Sequence, residues 1–138
     1  MYNGSVLARV RDWVMTQAIR ISVGDVELEG LLNESACARA IAEALPLQSK
    51  FRAWGDEIYF DIPVDHGLER DAREEFEVGD LGYWPEGKAL CVFFGPTPMS
   101  QGEKPVAYSR VNLIGRVQGA EGLRKVKEAG EIVVEAVE

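Results

Sequence analysis

The chain reads LQSKFRAWGDEIYFDIP between residues 47 and 63. Apolar and polar side chains alternate on both sides of the pair Gly55-Asp56. Alternation with a period of two is typical of a β-strand that is buried on one face, and a Gly-Asp pair between two such runs favours a tight turn. The stretch therefore predicts a β-hairpin whose strands run over residues 47–54 and 57–62.

The same alternation recurs on both sides of this hairpin and predicts six further strands. They run over residues 18–23, 26–32, 76–83, 89–94, 106–117 and 131–138. Small apolar side chains at helical spacing predict an α-helix over residues 34–45, capped by Asn33, and a short helix over residues 119–130. Residues 64–75 are polar and acidic without a period, and residues 95–105 are rich in Gly and Pro, so both predict surface loops.

Eight strands that are evenly spaced and mostly joined by hairpins would expose two sheet edges, which closure into a barrel removes. The fold class is therefore predicted to be mainly β. We expect a closed eight-stranded antiparallel barrel with one α-helix after the second strand and a short helix before the eighth. The chain has 138 residues, which is the usual length of a single domain.

The first residues of the chain do not fit this pattern. They carry an apolar stripe at helical spacing, but charged residues interrupt any apolar run that an export signal needs. Residues 1–17 are therefore predicted to be an N-terminal extension of a barrel domain over residues 18–138, with Met15 as an alternative start. The other interpretation is a short helix that docks on the domain.

Composition and charge exclude several classes of protein. The chain is 46% apolar and 28% charged, and its apolar runs are far shorter than the roughly 20 residues that span a bilayer. Fifteen Lys and Arg against 23 Asp and Glu give a net charge of −8, which argues against binding to nucleic acid through phosphate contacts. Cys37 and Cys91 lie far apart in segments with a buried pattern, which favours reduced thiols and a cytoplasmic location.

Two longer stretches carry a family signature. They are FRAWGDEIYFDIPV at residues 51–64 and VGDLGYWPEGKALCVFFGPTPMS at residues 78–100. These stretches resemble the cyclophilin-like family of small, largely uncharacterised bacterial and archaeal proteins, and the resemblance covers residues 19–137. It implies a barrel with cyclophilin topology and no assigned reaction. The Phe-x-Arg, Gln-Gly-Gly-Asp and Phe-Phe-Ile segments of true prolyl isomerases are not found in their usual form.

Arg52 lies on the third predicted strand, where the resemblance implies the position of the catalytic arginine of a cyclophilin. In such an enzyme the guanidinium would donate to the proline nitrogen in the twisted transition state, which lies roughly 20 kcal/mol above the ground state. The other interpretation is an exposed strand arginine that pairs with a carboxylate, which is the commoner case. A peptidyl-prolyl isomerase that uses Arg52 is therefore an alternative function.

Alternation divides the apolar and aromatic side chains between two faces. The inferred core face carries Phe51, Ile58, Phe60, Leu90, Val92 and Phe94. The opposite face carries Trp54, Tyr59, Tyr83 and Phe93. Aromatic side chains that point outward need a cover, so either the loop over residues 95–100 covers them or the loop and the aromatics together form an apolar groove. The predicted groove residues are Arg52, Trp54, Tyr59, Tyr83, Phe93, Thr97, Met99, Ser100 and Asn112.

Other polar clusters match no catalytic or metal-binding pattern. His66 is the only histidine and lies in a predicted loop, so no Ser-His-Asp or Cys-His arrangement is expected. The acidic residues around His66 match neither a calcium loop nor a zinc site. The glycines over residues 115–122 lack the Lys-Ser or Lys-Thr of a phosphate loop. We therefore predict no metal and no cofactor.

These observations favour a binding module in the cytoplasm. It would hold a peptide segment or a small apolar ligand in the outer groove without converting it. The alternatives are the isomerase and a structural subunit of a larger enzyme assembly. Neither nucleic acid nor a membrane is an expected partner, and the pattern leaves the oligomeric state open.

Overall fold

Nine strands and two helices make up the part of the chain that the computed structural model describes, residues 17–126 and 129–137. The strands are β1 (Gln17–Val23), β2 (Val26–Leu32), β3 (Leu47–Ala53), β4 (Glu57–Asp61), β5 (Arg73–Glu75), β6 (Asp80–Trp84), β7 (Ala89–Phe93), β8 (Val106–Val117) and β9 (Ala129–Val137). The helices are α1 (Ala36–Ala44) and a 3-10 helix (Ala120–Lys125). The predicted extension lies outside the described residues, apart from Gln17, which begins β1. Neither of the described helices is long and apolar enough to cross a bilayer.

Eight of the described strands form a ring of antiparallel pairs. Their spatial order is β2-β1-β9-β3-β4-β7-β6-β8, and β8 pairs again with β2 through residues 30–32 and 115–117. The short strand β5 pairs with the first half of β8, at Val106 and Val111. The prediction of a mainly β, antiparallel fold with one helix after the second strand and a short helix before the last is confirmed.

The inside of the ring is filled by a hydrophobic cluster that we call the central core. It includes the six residues predicted for the core face: Phe51, Ile58, Phe60, Leu90, Val92 and Phe94. The predicted hairpin at Gly55-Asp56 joins β3 to β4, and Phe51 of β3 pairs with Phe60 of β4. Alternation in this hairpin therefore predicts correctly which side chains face inward.

The α-helix packs against β2 and β8 through a narrow face of small side chains. The buried residues of this face are Cys37, Ala38 and Ile41. Ser35, and not Asn33, caps the helix, because its hydroxyl accepts from the Ala38 N–H at 3.1 Å. The Asn33 side chain instead accepts from the Ser35 N–H and donates to the Leu113 carbonyl, both at 3.0 Å. Asn33 therefore ties the start of the helix to β8.

The strand predicted over residues 76–83 begins only at Asp80, because the chain turns there first. The Glu77 N–H donates to Asp80 Oδ2 at 2.8 Å, and the Asp80 N–H donates to the Glu77 carbonyl at 3.0 Å. The Asp80 carboxylate also accepts from Arg116 Nε at 3.1 Å. The loop predicted over residues 64–75 contains β5, whose three side chains are all charged and exposed. Because β5 has no apolar face, its sequence shows no alternation of apolar and polar residues.

A second core lies on the outer face of the ring. It consists of Phe76, Cys91, Phe93, Ala107 and Val111. Phe93 is fully buried and stacks on Phe76 with ring centroids 4.5 Å apart. The prediction that Phe93 lies outside any core is therefore wrong, because Phe76 and the first half of β8 cover the outer face of β7. The outward prediction for Tyr83 is also wrong, since Tyr83 is fully buried in the central core.

Candidate functional site

A pocket of about 200 Å³ lies on the outer face of the ring, against the second core. We call it the outer pocket. It is lined by Trp54, Glu57, Tyr59, Trp84, Cys91, Ala107, Tyr108 and Val111. These residues come from β4, β6, β7 and β8 and from the turn after β3. Because antiparallel neighbours place alternate side chains on one face, four strands contribute to a single wall.

Two tryptophan rings stand beside Tyr108 in the outer pocket. The Tyr108 ring centroid lies 6.2 Å from the ring centroids of both Trp54 and Trp84, with interplanar angles of 81° and 80°. Tyr108 is 67% exposed, which is unusual for so large an apolar side chain. The pocket is therefore bounded by one exposed ring and two indoles at right angles to it.

The Trp84 indole is fixed in place from two sides. Its Nε1 donates to Ser109 Oγ at 2.7 Å, and Ser109 Oγ in turn contacts Glu86 Oε1 at 2.8 Å. Gly87 lies directly against the indole ring, since a Cβ atom at this position would be 2.5 Å from two ring carbons. The turn between β6 and β7 thus sets the position of this pocket wall.

Glu57 introduces a carboxyl group into this apolar wall. The residue is 6% exposed, and its Oε1 atom is buried with no hydrogen-bond partner among the described residues. Burial raises the pKa of the Glu57 carboxyl to about 7, and a hydrogen bond from the Cys91 thiol opposes the shift. Burial also raises the pKa of the Cys91 thiol well above its usual value. At neutral pH the pocket therefore contains a carboxyl near its titration midpoint beside a protonated thiol.

The structure brings two of the nine predicted groove residues, Trp54 and Tyr59, into the outer pocket. Arg52 is exposed and pairs across the strands with Tyr59, so it lies on the same face but outside the pocket lining. Phe93 packs behind the pocket wall, in the second core. Tyr83 lies on the inner face, where its hydroxyl donates to the Val64 carbonyl at 2.5 Å.

The other four predicted groove residues also lie outside the lining of the outer pocket. Thr97 and Ser100 hold the loop over residues 95–105 together, since the Thr97 N–H donates to Ser100 Oγ at 2.9 Å. Met99, in the same loop, is 51% exposed. Asn112 is fully buried and contacts the backbone of the loop over residues 64–72. Hydrogen bonds with the backbone therefore account for the positions of the Thr97, Ser100 and Asn112 side chains.

Six residues of the outer pocket are not among the predicted groove residues. They are Glu57, Trp84, Cys91, Ala107, Tyr108 and Val111. Glu57 has the same strand parity as Tyr59, so alternation alone could have placed it on the outer face. Trp84 and Tyr108 were not detectable in this way, because Trp84 follows the predicted end of its strand and β8 reaches the pocket only through the tertiary fold.

Two further polar groups near the α-helix serve the fold. Glu69 Oε2 accepts from the Cys37 N–H at 3.0 Å, at the start of the helix. Burial raises the pKa of the Cys37 thiol to about 11, which keeps it protonated. Within residues 17–126 and 129–137, no group of three or more His, Cys, Asp or Glu side chains is arranged to hold a metal ion.

The ring of antiparallel strands around a filled central core defines a small, mainly β protein. The family described as cyclophilin-like matches residues 17–135, and the chain belongs to that family. It is similar to a hypothetical protein from Archaeoglobus fulgidus whose solution structure is known. The two share 40% sequence identity and a TM-score of 0.76, over 89% of this chain and 96% of that one. No curated protein matches the chain. The family resemblance in the two signature stretches is therefore confirmed.

Proposed function

We propose that the protein is a binding module whose outer pocket holds a small, largely apolar group without converting it. The observation that carries this proposal is the pocket itself, which is walled by aromatic and aliphatic side chains and bordered by the exposed Tyr108. Concave and mostly apolar sites with a few polar groups are the usual form of ligand sites. A volume of about 200 Å³ is below that of sites for drug-sized ligands, which suits one peptide side chain or the head of a small ligand.

Binding without conversion is favoured by the state of the reactive groups. The thiolate, and not the thiol, is the nucleophilic form of cysteine. Burial holds the pKa of Cys91 well above its usual value, so the thiol stays protonated at neutral pH. Glu57 then has no activated nucleophile beside it among the pocket residues. We therefore assign Glu57 to recognition.

Two further features support a closed barrel and a cytoplasmic location. The pairing of β2 with β8 supports a closed cyclophilin-like barrel, which would present the outer pocket on a rigid scaffold. Cys37 and Cys91 are both unpaired and buried, which is consistent with the reducing cytoplasm that we propose as the location.

Binding of a neutral apolar probe tests the proposal. In titrations with 3,3-dimethyl-1-butanol, we expect the indole NMR signals of Trp54 and Trp84 to shift. Tyr108→Ala removes one exposed wall and should weaken binding about tenfold, since an aromatic contact contributes roughly 0.5–1.5 kcal/mol beyond its buried area. Met99→Ala is the matched control, because Met99 is similarly exposed but lies outside the pocket. Unchanged indole signals at saturating probe would contradict the proposal.

An isomerase remains the second candidate, because Arg52 is free to reach a ligand. It forms no ion pair with any described residue and shares a face with Tyr59 of the outer pocket. We expect a proline-containing peptide to isomerise at its uncatalysed rate, over tens to hundreds of seconds, with wild type and with Arg52→Ala alike. A strong acceleration that drops roughly ten- to a hundredfold in Arg52→Ala would instead establish the isomerase, since that is the effect of losing one charge-assisted hydrogen bond.

A further inference from the structure

We infer that the outer pocket binds an organic ammonium group, with Trp54, Trp84 and Tyr108 as its aromatic walls and the Glu57 carboxylate as its counter-charge. The inference rests on the proposed function and narrows its ligand class. A quaternary or alkylated ammonium is an apolar body that carries a positive charge. The pocket offers aromatic walls to the apolar body and the Glu57 carboxylate to the positive charge.

The aromatic walls supply the first partner. The faces of aromatic rings carry a partial negative charge and attract cations that lie within about 6 Å of the ring centre, most strongly at tryptophan. Two tryptophans stand at right angles to Tyr108, each with its centroid 6.2 Å from the Tyr108 centroid. All three rings line the outer pocket, so a methylated ammonium in the pocket would lie beside more than one ring. Aromatic cages of this kind are a known way to bind quaternary ammonium groups.

The carboxyl group supplies the second partner. An apolar ligand alone would leave the buried Glu57 Oε1 without a partner, and a buried polar atom without a partner is costly. A cation in the pocket would balance the charge of the ionised carboxylate, which an apolar ligand cannot do. Among the described residues, no lysine or arginine lines the outer pocket.

Three cationic side chains, those of Lys104, Arg110 and Arg52, lie outside the pocket lining. Lys104 forms ion pairs with Glu75 and Glu77, at 3.5 Å and 3.1 Å. Arg110 donates to the Ala72 carbonyl at 3.3 Å. Arg52 is exposed beside Tyr59, outside the lining. The net charge of −8 attracts cations to the protein as a whole.

A pair of probes with the same shape and different charge tests the inference. Choline carries a trimethylammonium head, and 3,3-dimethyl-1-butanol carries a carbon in place of its nitrogen. We expect wild type to bind choline at least about tenfold more tightly than the alcohol, measured by NMR titration, because a desolvated cation–aromatic contact adds this much. Glu57→Gln should lower this preference several-fold, because it removes the counter-charge and leaves the aromatic walls in place.

Glu69→Gln is the matched control. Glu69 also has a buried Oε1 atom without a hydrogen-bond partner among the described residues, but it lies at the start of the α-helix and outside the pocket. The preference for choline should survive this change. Equal loss in both variants would overturn the assignment of Glu57.

The pH dependence of choline binding is a second test. Choline keeps its positive charge at every pH, so any change of its affinity with pH comes from a titrating group of the protein. The other titratable groups that line the pocket are the Cys91 thiol and the Tyr59 and Tyr108 phenols. The Glu86 carboxylate accepts from the Trp84 indole, and Arg52 pairs across the strands with Tyr59. With the Glu57 pKa at about 7, affinity should rise with pH between about 6 and 8 in wild type. It should stay flat in Glu57→Gln.

The outcomes separate this inference from the proposed function. Equal affinities for choline and the alcohol would overturn the ammonium inference and leave the apolar pocket standing. Failure of both probes to bind would overturn both. A short peptide with one trimethyllysine, compared with the same peptide carrying unmodified lysine, identifies the source of the group. Tighter binding of the methylated peptide than of choline indicates a protein side chain, the reverse indicates a free small molecule, and both results support the inference.

Discussion

Glu57 makes the stability of the protein depend on pH, because its carboxyl is buried in the folded chain and solvated in the unfolded chain. Its pKa rises from 4.5 to about 7 on folding. Below pH 4.5 both states are protonated and the group has no effect. Between pH 4.5 and about 7 only the folded state retains the proton, so stability falls as pH rises. Above about pH 7 the loss is complete and constant.

Relative to wild type, Glu57→Gln should therefore have a higher free energy of unfolding at pH 8 than at pH 4.5. A shift from 4.5 to about 7 corresponds to at most about 3 kcal/mol. Urea unfolding of both proteins at several pH values measures the difference. A constant difference in the free energy of unfolding across this range would show that Glu57 ionises freely in the folded state.

Phe93 contributes to stability through the second core and not through a ligand. It is fully buried and stacks on Phe76 at 4.5 Å. Phe93→Ala should cost about 3–5 kcal/mol, the usual range for a buried aromatic side chain. Met99→Ala should cost less than about 0.5 kcal/mol, because an exposed side chain loses little. Denaturant titrations that give similar small losses for both variants would contradict the second core.

At the level of elements, the turn between β6 and β7 determines where the Trp84 wall stands. A Cβ atom on Gly87 would lie 2.5 Å from two carbons of the indole, so Gly87→Ala must displace the ring. We expect a shifted Trp84 indole signal and weaker binding of choline in this variant.

Gly102→Ala is the control for this change, since a Cβ atom there meets nothing within 4 Å. It should leave both the Trp84 signal and the affinity for choline unchanged. Binding that is equal in the two glycine variants would show that the position of Trp84 does not matter for the outer pocket.

At the level of the whole molecule, the ring depends on the pairing between β2 and β8. Gly115 of β8 allows the two backbones to approach, because a Cβ atom there would overlap the Leu31 carbonyl oxygen of β2. Backbone cannot move as easily as a side chain. Gly115→Ala should therefore cost about 1–3 kcal/mol, or roughly 4–12 °C in melting temperature at this chain length.

Gly67→Ala provides the comparison for this variant, because a Cβ atom at position 67 has open space around it. Thermal unfolding should show a change of at most about 2 °C for Gly67→Ala. A Gly115→Ala protein with an unchanged melting temperature would mean that the ring tolerates a wider gap between β2 and β8.

Local sequence alone determined most of the strands, both helices and the central core. Period-two alternation and the Gly55-Asp56 turn involve neighbours in the chain, so they are readable without the fold. The same holds for the α-helix, although its cap lies at Ser35 and not at Asn33. Trp54 and Tyr59 could be placed on the outer face for the same reason.

Only the tertiary structure decided what happens on that outer face. Alternation assumes one buried face for each strand, but β7 is buried on both because Phe76 and β8 cover it. The outer pocket joins Glu57 and Trp84 to Tyr108, which are separated by 51 and 24 residues in the sequence. No local pattern links residues so far apart. Their proximity follows from strand pairing and from the length of β8, which reaches past the ring and completes the pocket wall.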